Sequence, residues 1–378
     1  MSSTVVVLLY IVVILVVVLV HEAAHFGVAK AFGIKVEEFF VGFGPRIWSF
    51  RRGETEYGLK ALPLGGYVRI AGMNPFQEPS PGDLPRTFGA KPIWQRAAVI
   101  VAGPATHFVM AFVFLLIYLA ALGVPSKFEP LVLQVDRKIE GQASPAAEAG
   151  LKAGDVIVGV DAIHQPGDQQ LVDYTRRHVQ EPITLTVRRD DRTFRVTTTP
   201  VLATVEGERV GRIGVVLGQG DLLERDRRGF VTATADSARA VSDFTVGVVK
   251  SMGRVFGPSG LSRIGDLLFG NAQRRPGDVT SVVGGARIAV QAAEVGASDV
   301  LFRLFAVFNV FVGILNLLPL PPFDGGHLAV LAAEKVTGRK VDMRRLVPLT
   351  AVVAMFLILF MVSIIYLDVV KPIPNVFR

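Results

Sequence analysis

The residues with the clearest chemical potential stand at the end of the first apolar stretch. Residues Val5 to Val20 carry no charge, and His21, Glu22 and His25 follow at once. Two histidines four residues apart lie on one face of a helix, so both can ligate the same divalent cation. A glutamate beside the first histidine can act as a general base on a water molecule near that cation. The spacing therefore predicts a metal site for hydrolysis.

The His-Glu-x-x-His pattern is that of zinc hydrolases, although a five-residue pattern also recurs by chance in unrelated chains. Here it falls inside an apolar span, where three polar side chains oppose insertion and mark a functional site. The chain of 378 residues contains no cysteine. Any further metal ligand must therefore be a histidine or a carboxylate, and disulfides are excluded.

A catalytic zinc usually takes three protein ligands and keeps one position open. Asp324 is the better candidate for the third ligand, because it lies just past the third apolar span and precedes two glycines that permit close approach. His327 is the other candidate. Asp324 could instead cap a helix that begins near Gly325. Asn316 could bind substrate or a developing oxyanion, or form an interhelical hydrogen bond.

Four apolar segments are long enough to cross a membrane as helices. They run from about Thr4 to Phe32, Arg96 to Leu122, Leu301 to Leu318 and Leu346 to Leu367. The net charge of +7 comes from basic residues near these spans, so no nucleic-acid partner is expected. Loops 33–95 and 319–345 are rich in lysine and arginine, which predicts that they are cytoplasmic and that both termini lie outside.

The remaining segments predict three elements. Residues 34–72 are β-rich, and their last part offers an edge to which an extended substrate could add as a strand; this edge contains Gly65, Gly66, Tyr67 and Val68. Residues 127–217 alternate strand-like runs with turns and predict a small separate domain. Phe230 to Val255 predicts an amphipathic helix that lies against the membrane or packs on that domain.

His107 follows Gly103 and Pro104 in the second span. The two small or kinking residues would let another helix approach closely. A histidine at this depth predicts a hydrogen bond between helices, with metal binding as the alternative.

Several motifs together carry a resemblance to a known family. They are HEAAH (21–25), VGFGP (41–45), PLGGYV (63–68), AGP (102–104), SPAAEAGLKAGDVI (144–157) and NLLPLPPFDGGH (316–327). With them the chain resembles the site-2 protease family of intramembrane zinc metalloproteases. The resemblance is to the bacterial branch with one PDZ domain, of the actinobacterial type, and covers nearly the whole chain.

This resemblance implies a polytopic α-helical membrane protein with about four transmembrane helices, a membrane-associated β-rich loop and an extracytoplasmic α+β PDZ domain. The implied domains are an N-terminal membrane core (1–126), the PDZ domain (127–217), a membrane-proximal linker with an amphipathic helix (218–300) and a C-terminal membrane core (301–378). The protein would lie in the bacterial plasma membrane, with the PDZ domain and both termini outside the cytoplasm.

For the site, the resemblance implies Zn²⁺ held by His21, His25 and Asp324, with Glu22 as the catalytic acid–base and Asn316 near the active site. The β segment 55–72 resembles the family's re-entrant loop that receives substrate. His107 stands where the family has asparagine, and a histidine there would either take over the role of that asparagine or bring pH sensitivity.

The implied function is hydrolysis of peptide bonds in or near transmembrane segments of single-pass regulators such as anti-sigma factors, after another protease has shortened them. The PDZ domain would filter substrates by size or bind their tails. A non-catalytic PDZ membrane scaffold is one alternative, against which the intact Glu22 argues. A metal transporter is another, although it would be expected to have more spans and a second polar cluster at mid-membrane.

Overall fold

The first two apolar segments form helices with a pair of long strands between them. This computed structural model describes residues 2–74, 76–77, 80–205, 208–295 and 297–375. The elements in chain order are α1 (Ser3–Ala31), β1 (Val36–Arg52), β2 (Thr55–Ile70) and α2 (Ile93–Leu116). Gly33, with φ of +66°, turns the chain out of α1, and one π-helical segment, Ile117–Leu122, prolongs α2.

Residues 119–229 form a separate strand-rich unit. Its elements are β3 (Val124–Val135), β4 (Lys138–Ile139), β5 (Gln142–Ala143), α3 (Pro145–Glu148), β6 (Val156–Val160), β7 (Ile163–His164), α4 (Asp168–Arg177), β8 (Ile183–Arg189), β9 (Arg192–Thr198), β10 (Val201–Val205), β11 (Glu208–Arg212) and β12 (Val215–Asp226).

The main sheet of this unit has the strand order β12-β3-β6-β8-β9, with β7 paired to β6. Its core contains the fully buried residues Val132, Ile157, Leu185 and Val187. Strands β3 and β12 pair along their whole length, from Val135 opposite Val215 to Val124 opposite Asp226. The unit therefore extends beyond the sequence-based limits of 127 and 217 at both ends, because the alternating pattern weakens where this ribbon leaves the core.

The rest of the chain is helical. It contains α5 (Phe230–Val255), α6 (Pro258–Phe269), α7 (Val282–Glu294), α8 (Ser298–Asn316), α9 (Asp324–Thr337) and α10 (Val347–Val370). These helices belong to one compact unit with residues 1–118.

Four helices in the described part of the chain are long and apolar enough to cross a membrane. They are Ser3–Ala31, Ile93–Leu122, Asp299–Asn316 and Met343–Val370. Large apolar side chains such as Leu8 and Leu359 point outward from them, as expected where lipid replaces water. The predicted four-span membrane protein with a β-rich loop and a separate strand-rich unit is therefore confirmed.

Helix α5 packs on two of the membrane spans, a contact that neither expectation named. Its residue Val248 lies in one buried cluster with Ala111 and Leu115 of α2 and with Ala306 and Val310 of α8. The alanines on α2 and α8 let the helices approach closely, so the apolar face of α5 is covered by two membrane spans. An amphipathic pattern shows that a face is buried but not what covers it, which is why the sequence missed this contact.

Strands β1 and β2 are bent, so that together they make four strand segments. Residues 38–41 pair with 66–69 and also with 56–59, whereas residues 46–52 pair with 55–60. Gly42, with φ of +88°, lies at the bend of β1, where a Cβ would stand 2.7 Å from the carbonyl oxygen of Leu62. Among the described residues, the segment 66–70 thus has ladder partners on one side only, in β1.

Two buried ion pairs join elements far apart in the chain. Arg96 at the start of α2 pairs with Glu334 of α9 at 2.8 Å. Asp368 near the end of α10 accepts hydrogen bonds from Arg274 at 3.1 Å and from the backbone N–H of Ser281 at 2.7 Å. The buried residues of α10 are confined to this end, at Ile364, Leu367 and Asp368.

Candidate metal centre

Helices α1 and α9 bring two imidazoles and a carboxylate to one point. The Nε2 atoms of His21 and His25 lie 3.1 Å apart, and each is 3.4 Å from Oδ2 of Asp324. Both histidines are buried, and one ligand atom from each of the three residues lies within 4.8 Å of the others. The arrangement brings together residues separated by about three hundred positions in the sequence.

Hydrogen bonds at the other ring nitrogens set the tautomers of both histidines. His25 Nδ1 lies 2.7 Å from the carbonyl oxygen of Val99, which can only accept, so Nδ1 carries the proton. His21 Nδ1 lies 3.0 Å from Nε2 of His107. In the neutral His25 ring, Nε2 is then left with a lone pair at 3.4 Å from Oδ2 of Asp324, and the same holds for His21 when His107 Nε2 is the acceptor.

The residues fit a bound cation. Three electron-pair donors converge, and Oδ2 of Asp324 is buried with no hydrogen-bond partner among the described residues. An unpaired buried carboxylate oxygen is costly, so a positive charge between these atoms is needed to balance the site. Two imidazole nitrogens and one carboxylate oxygen form a ligand set found in catalytic zinc sites.

The capping role considered for Asp324 is not observed. Helix α9 begins with Asp324 itself, the preceding cap residue is Phe323, and no side-chain capping hydrogen bond is present there. The two glycines after Asp324 allow α9 to begin in close contact with the segment that connects it to α8. A Cβ on Gly326 would stand 2.6 Å from the nitrogen of Pro321, and one on Gly325 would collide with the backbone of Leu317.

Gly103 of α2 makes room for the imidazoles. A Cβ added there would stand 2.7 Å from Cε1 of both His21 and His25, and closer still to Nε2 of His25. Every other residue type would therefore push the two rings away from Asp324. The sequence predicted a close helix approach at Gly103, but not that the groups approaching it are the two imidazoles of α1.

Glu22 points from α1 toward β2. A Cβ built on Gly66 would lie 3.5 Å from its Cγ, and the backbone N–H of Val68 interacts with its carboxylate. Gly65, with φ of +140°, packs against the ring of Phe43. Tyr67 donates a hydrogen bond to the carboxylate of Glu38, and its ring centroid lies 4.8 Å from the ammonium nitrogen of Lys60. Of the predicted edge residues, Gly66 and Val68 thus lie beside Glu22.

A groove of about 680 Å³ runs along this edge. Its walls are the last residues of β2, the segment after it, the two prolines before α9 and the first turns of α10. The lining residues are Tyr67, Val68, Arg69, Ile70, Met73, Asn74, Phe76, Pro321, Pro322, His327, Met343, Leu346, Val347, Thr350, Ala351 and Ala354. The lining is mostly apolar, which suits the side chains of a membrane segment.

The remaining predicted residues lie outside the group of three converging ligands; they are His327, Asn316 and His107. His327 lines the groove and is outside the group of three converging ligands, and Asn316 is the half-buried last residue of α8. His107 contacts His21 on one side and Asn309 of α8 on the other, at 3.1 Å. Asn309 is a further buried site residue; its place as a polar residue within the third apolar span is the sequence signal that could have marked it.

Comparison with known proteins gives a consistent family. The sequence profile of peptidase family M50 matches residues 9–361. Zinc metalloprotease Rip1 of Mycobacterium tuberculosis is 34% identical over 94% of each chain. Regulator of sigma-W protease RasP of Bacillus subtilis is 26% identical over 92% of this chain and 94% of its own.

Among solved structures, the PDZ domain of the SdrC-like protein of Listeria monocytogenes covers 24% of this chain and 90% of its own length. It is 22% identical, with a TM-score of 0.21. The match to the family profile and the identity to Rip1 both extend over most of the sequence. The chain therefore belongs to peptidase family M50.

Proposed function

We propose that the protein is an intramembrane zinc endopeptidase that hydrolyses peptide bonds in or near transmembrane segments of other proteins. The observation that carries this proposal is the convergence of His21, His25 and Asp324 within 4.8 Å, beside Glu22 and an available strand edge. A metal-ligand group, a general base and a place for an extended chain are the three parts that peptide hydrolysis by a metalloprotease needs.

His21 and His25 would hold the zinc through Nε2, and Asp324 would hold it through Oδ2. When bound, zinc supplies a Lewis acid that polarises the scissile carbonyl group and makes a water molecule acidic near neutral pH. The protonated Nδ1 atoms of both histidines are tied to partners on α2, which keeps each Nε2 directed at the site.

Glu22 is the proposed general acid and base. Its carboxylate takes the proton from the attacking water and passes it to the nitrogen of the leaving amine, so the same group serves both halves of the reaction. Its contact with the Val68 N–H fixes the carboxylate between the metal ligands and the strand edge. Asn316 is proposed to donate a hydrogen bond to the substrate or to the developing oxyanion.

A membrane helix must unwind before its peptide bonds can be cut, because its own hydrogen bonds shield them. The segment Tyr67–Ile70 has a free edge facing the 680 Å³ groove. We infer that the unwound substrate adds there as a strand, with backbone hydrogen bonds replacing those of the lost helix. Gly65 and Gly66 let the end of β2 itself lie close to Phe43 and Glu22.

The substrates we propose are single-pass, membrane-anchored regulators of the anti-sigma-factor type. One relative that aligns with 92% of the chain bears the name regulator of sigma-W protease RasP, which supports this class. We further propose that residues 127–217 act as a PDZ domain that gates access or binds substrate tails. In this proposal the protein lies in the bacterial plasma membrane with that domain and both termini outside the cytoplasm.

The test combines metal content with cleavage. The purified full-length protein is assayed for bound zinc and for cleavage of a model single-pass substrate. Glu22→Gln should keep about one zinc ion per chain and lose cleavage, because only the proton acceptor is removed. Glu294→Gln, at an exposed position at the end of α7, is the matched control and should retain both.

Several results would reject parts of the proposal. Cleavage by Glu22→Gln at the wild-type rate would reject Glu22 as the base. Asp324→Ala should release zinc more readily; unchanged zinc binding would point to His327 or another group as the third ligand. A wild-type protein that neither binds zinc nor cleaves the substrate would reject the function as a whole.

A further inference from the structure

His107 is the most deeply buried titratable side chain around the metal centre and has no part in the mechanism above. It is 1% exposed, and Asn309 beside it is fully buried. Its ring lies between α1 and α8, with Nε2 3.0 Å from His21 Nδ1 and Nδ1 3.1 Å from Asn309 Oδ1. A polar chain across three helices in an apolar interior is costly unless every member is satisfied.

The donor and acceptor of each hydrogen bond between Asn309, His107 and His21 follow from the bonding of Asn309. Asn309 Nδ2 donates to the backbone carbonyl of Phe305 at 2.8 Å, so Oδ1 is the atom that faces His107. Since Oδ1 can only accept, His107 Nδ1 carries the proton and Nε2 has the lone pair. His107 Nε2 must then accept from His21 Nδ1, and His21 Nε2 is left without a proton.

We propose that His107 is a positioning residue for the metal ion: it accepts the Nδ1 proton of His21 and so keeps the lone pair of His21 Nε2 aimed at the cation. Asn309 acts one step further out by fixing the orientation of the His107 ring. This inference rests on the proposed zinc site and adds to it a residue on α2 that touches neither metal nor substrate.

The two metal-ligating histidines are held in different ways. His25 is oriented by the backbone carbonyl of Val99, which no side-chain substitution removes. His21 depends on a side chain, so a single substitution at residue 107 can release its ring. Partners of this kind typically change metal affinity by about 10- to 100-fold when they are removed.

A purely structural role would require only that the space be filled. Glutamine and methionine separate the two possibilities, because both are unbranched and of similar length. The Oε1 atom of glutamine can reach the place of His107 Nε2 and accept from His21. Methionine offers only a weak sulfur acceptor. A difference between His107→Gln and His107→Met therefore reports the hydrogen bond and not the packing.

The experiment measures zinc affinity of the full-length protein in detergent by competition with a chromophoric chelator. We expect His107→Met to bind zinc about 10- to 100-fold more weakly than wild type and His107→Gln to lose less than about tenfold. Thermal unfolding of the zinc-free variants shows whether both remain folded. Phe108→Leu, on the next position of α2, is the control for packing and should leave zinc affinity unchanged.

The outcomes are distinct. Weak binding by the methionine variant together with tighter binding by the glutamine variant supports the proposal. Equal zinc affinity of the two variants, whether high or low, overturns it while leaving the zinc protease intact. A wild-type protein that binds no zinc overturns both this inference and the proposed function.

Discussion

Replacing Gly103 with alanine adds one methyl group where the imidazoles meet. The new Cβ would stand 2.7 Å from Cε1 of His21 and of His25. Carbon atoms in contact normally lie about 3.5 to 4.0 Å apart, so the rings must move by about 0.8 Å or more. Metal–ligand distances hold within about 0.2 Å. The forced displacement is thus about four times what the site tolerates.

We expect Gly103→Ala to lower zinc affinity by at least about tenfold and cleavage by about 100-fold, as for a displacement near 1 Å. The fold itself should survive, since alanine favours a helix interior over glycine by about 1 kcal/mol. The assays are chelator competition, substrate cleavage and thermal unfolding.

The matched control is Gly247→Ala in α5, where an added Cβ meets nothing within 4 Å. It carries the same change in helix propensity and should leave zinc binding and cleavage at wild-type levels. If Gly103→Ala binds zinc and cleaves as well as this control, the tight approach of α2 to the histidines does not exist in the working enzyme.

Two further predictions concern charges away from the metal. Replacing Glu334 with alanine leaves Arg96 buried without its partner and should lower the free energy of unfolding by about 3 to 5 kcal/mol. Thermal unfolding measures this loss. Adding the change Arg96→Met to the same protein should recover part of it. Glu54 receives hydrogen bonds from Arg86 and Lys30, which lower the pKa of its carboxyl to about 2. Because the folded-state pKa is depressed, this stabilisation is present above the unfolded pKa, near 4.3, and disappears as the pH falls toward 2. The difference in unfolding temperature between wild type and Glu54→Gln should therefore shrink between about pH 4.5 and pH 2. A difference that stays constant over that range would contradict the assignment. The ion pairs of Glu54 contribute about 1 kcal/mol at most to the free energy of unfolding, since they are partly exposed.

The sequence predicts much of this molecule because membrane helices and metal spacing leave strong local signals. Apolar length identifies the four spans, and the i, i+4 spacing identifies His21 and His25 as a pair. The β-rich loop and its last segment follow from glycine turns and short alternating runs. These features depend on neighbours in the chain, so periodicity is enough to find them.

Other features depend on which helices meet, and the sequence cannot express that. The role of Gly103 exists only because α2 crosses α1 at that point, and the chain from Asn309 to His21 spans three helices. The pairing of Arg96 with Glu334 joins positions more than two hundred residues apart. The sequence marked Gly103 and His107 as residues between helices, but their partners are decided by packing.

The one-sided attachment of α10 has a mechanical consequence. This helix of 24 residues is buried only near its C-terminal end, where Asp368 binds Arg274 and Ser281, while its first turns form one wall of the groove. At 1.5 Å per residue the helix is about 36 Å long, so a tilt of about 10° around its C-terminal end would move its N-terminal end by about 6 Å. Neighbouring strands lie about 4.8 Å apart. A tilt of this size would therefore open a gap wide enough for one extended polypeptide.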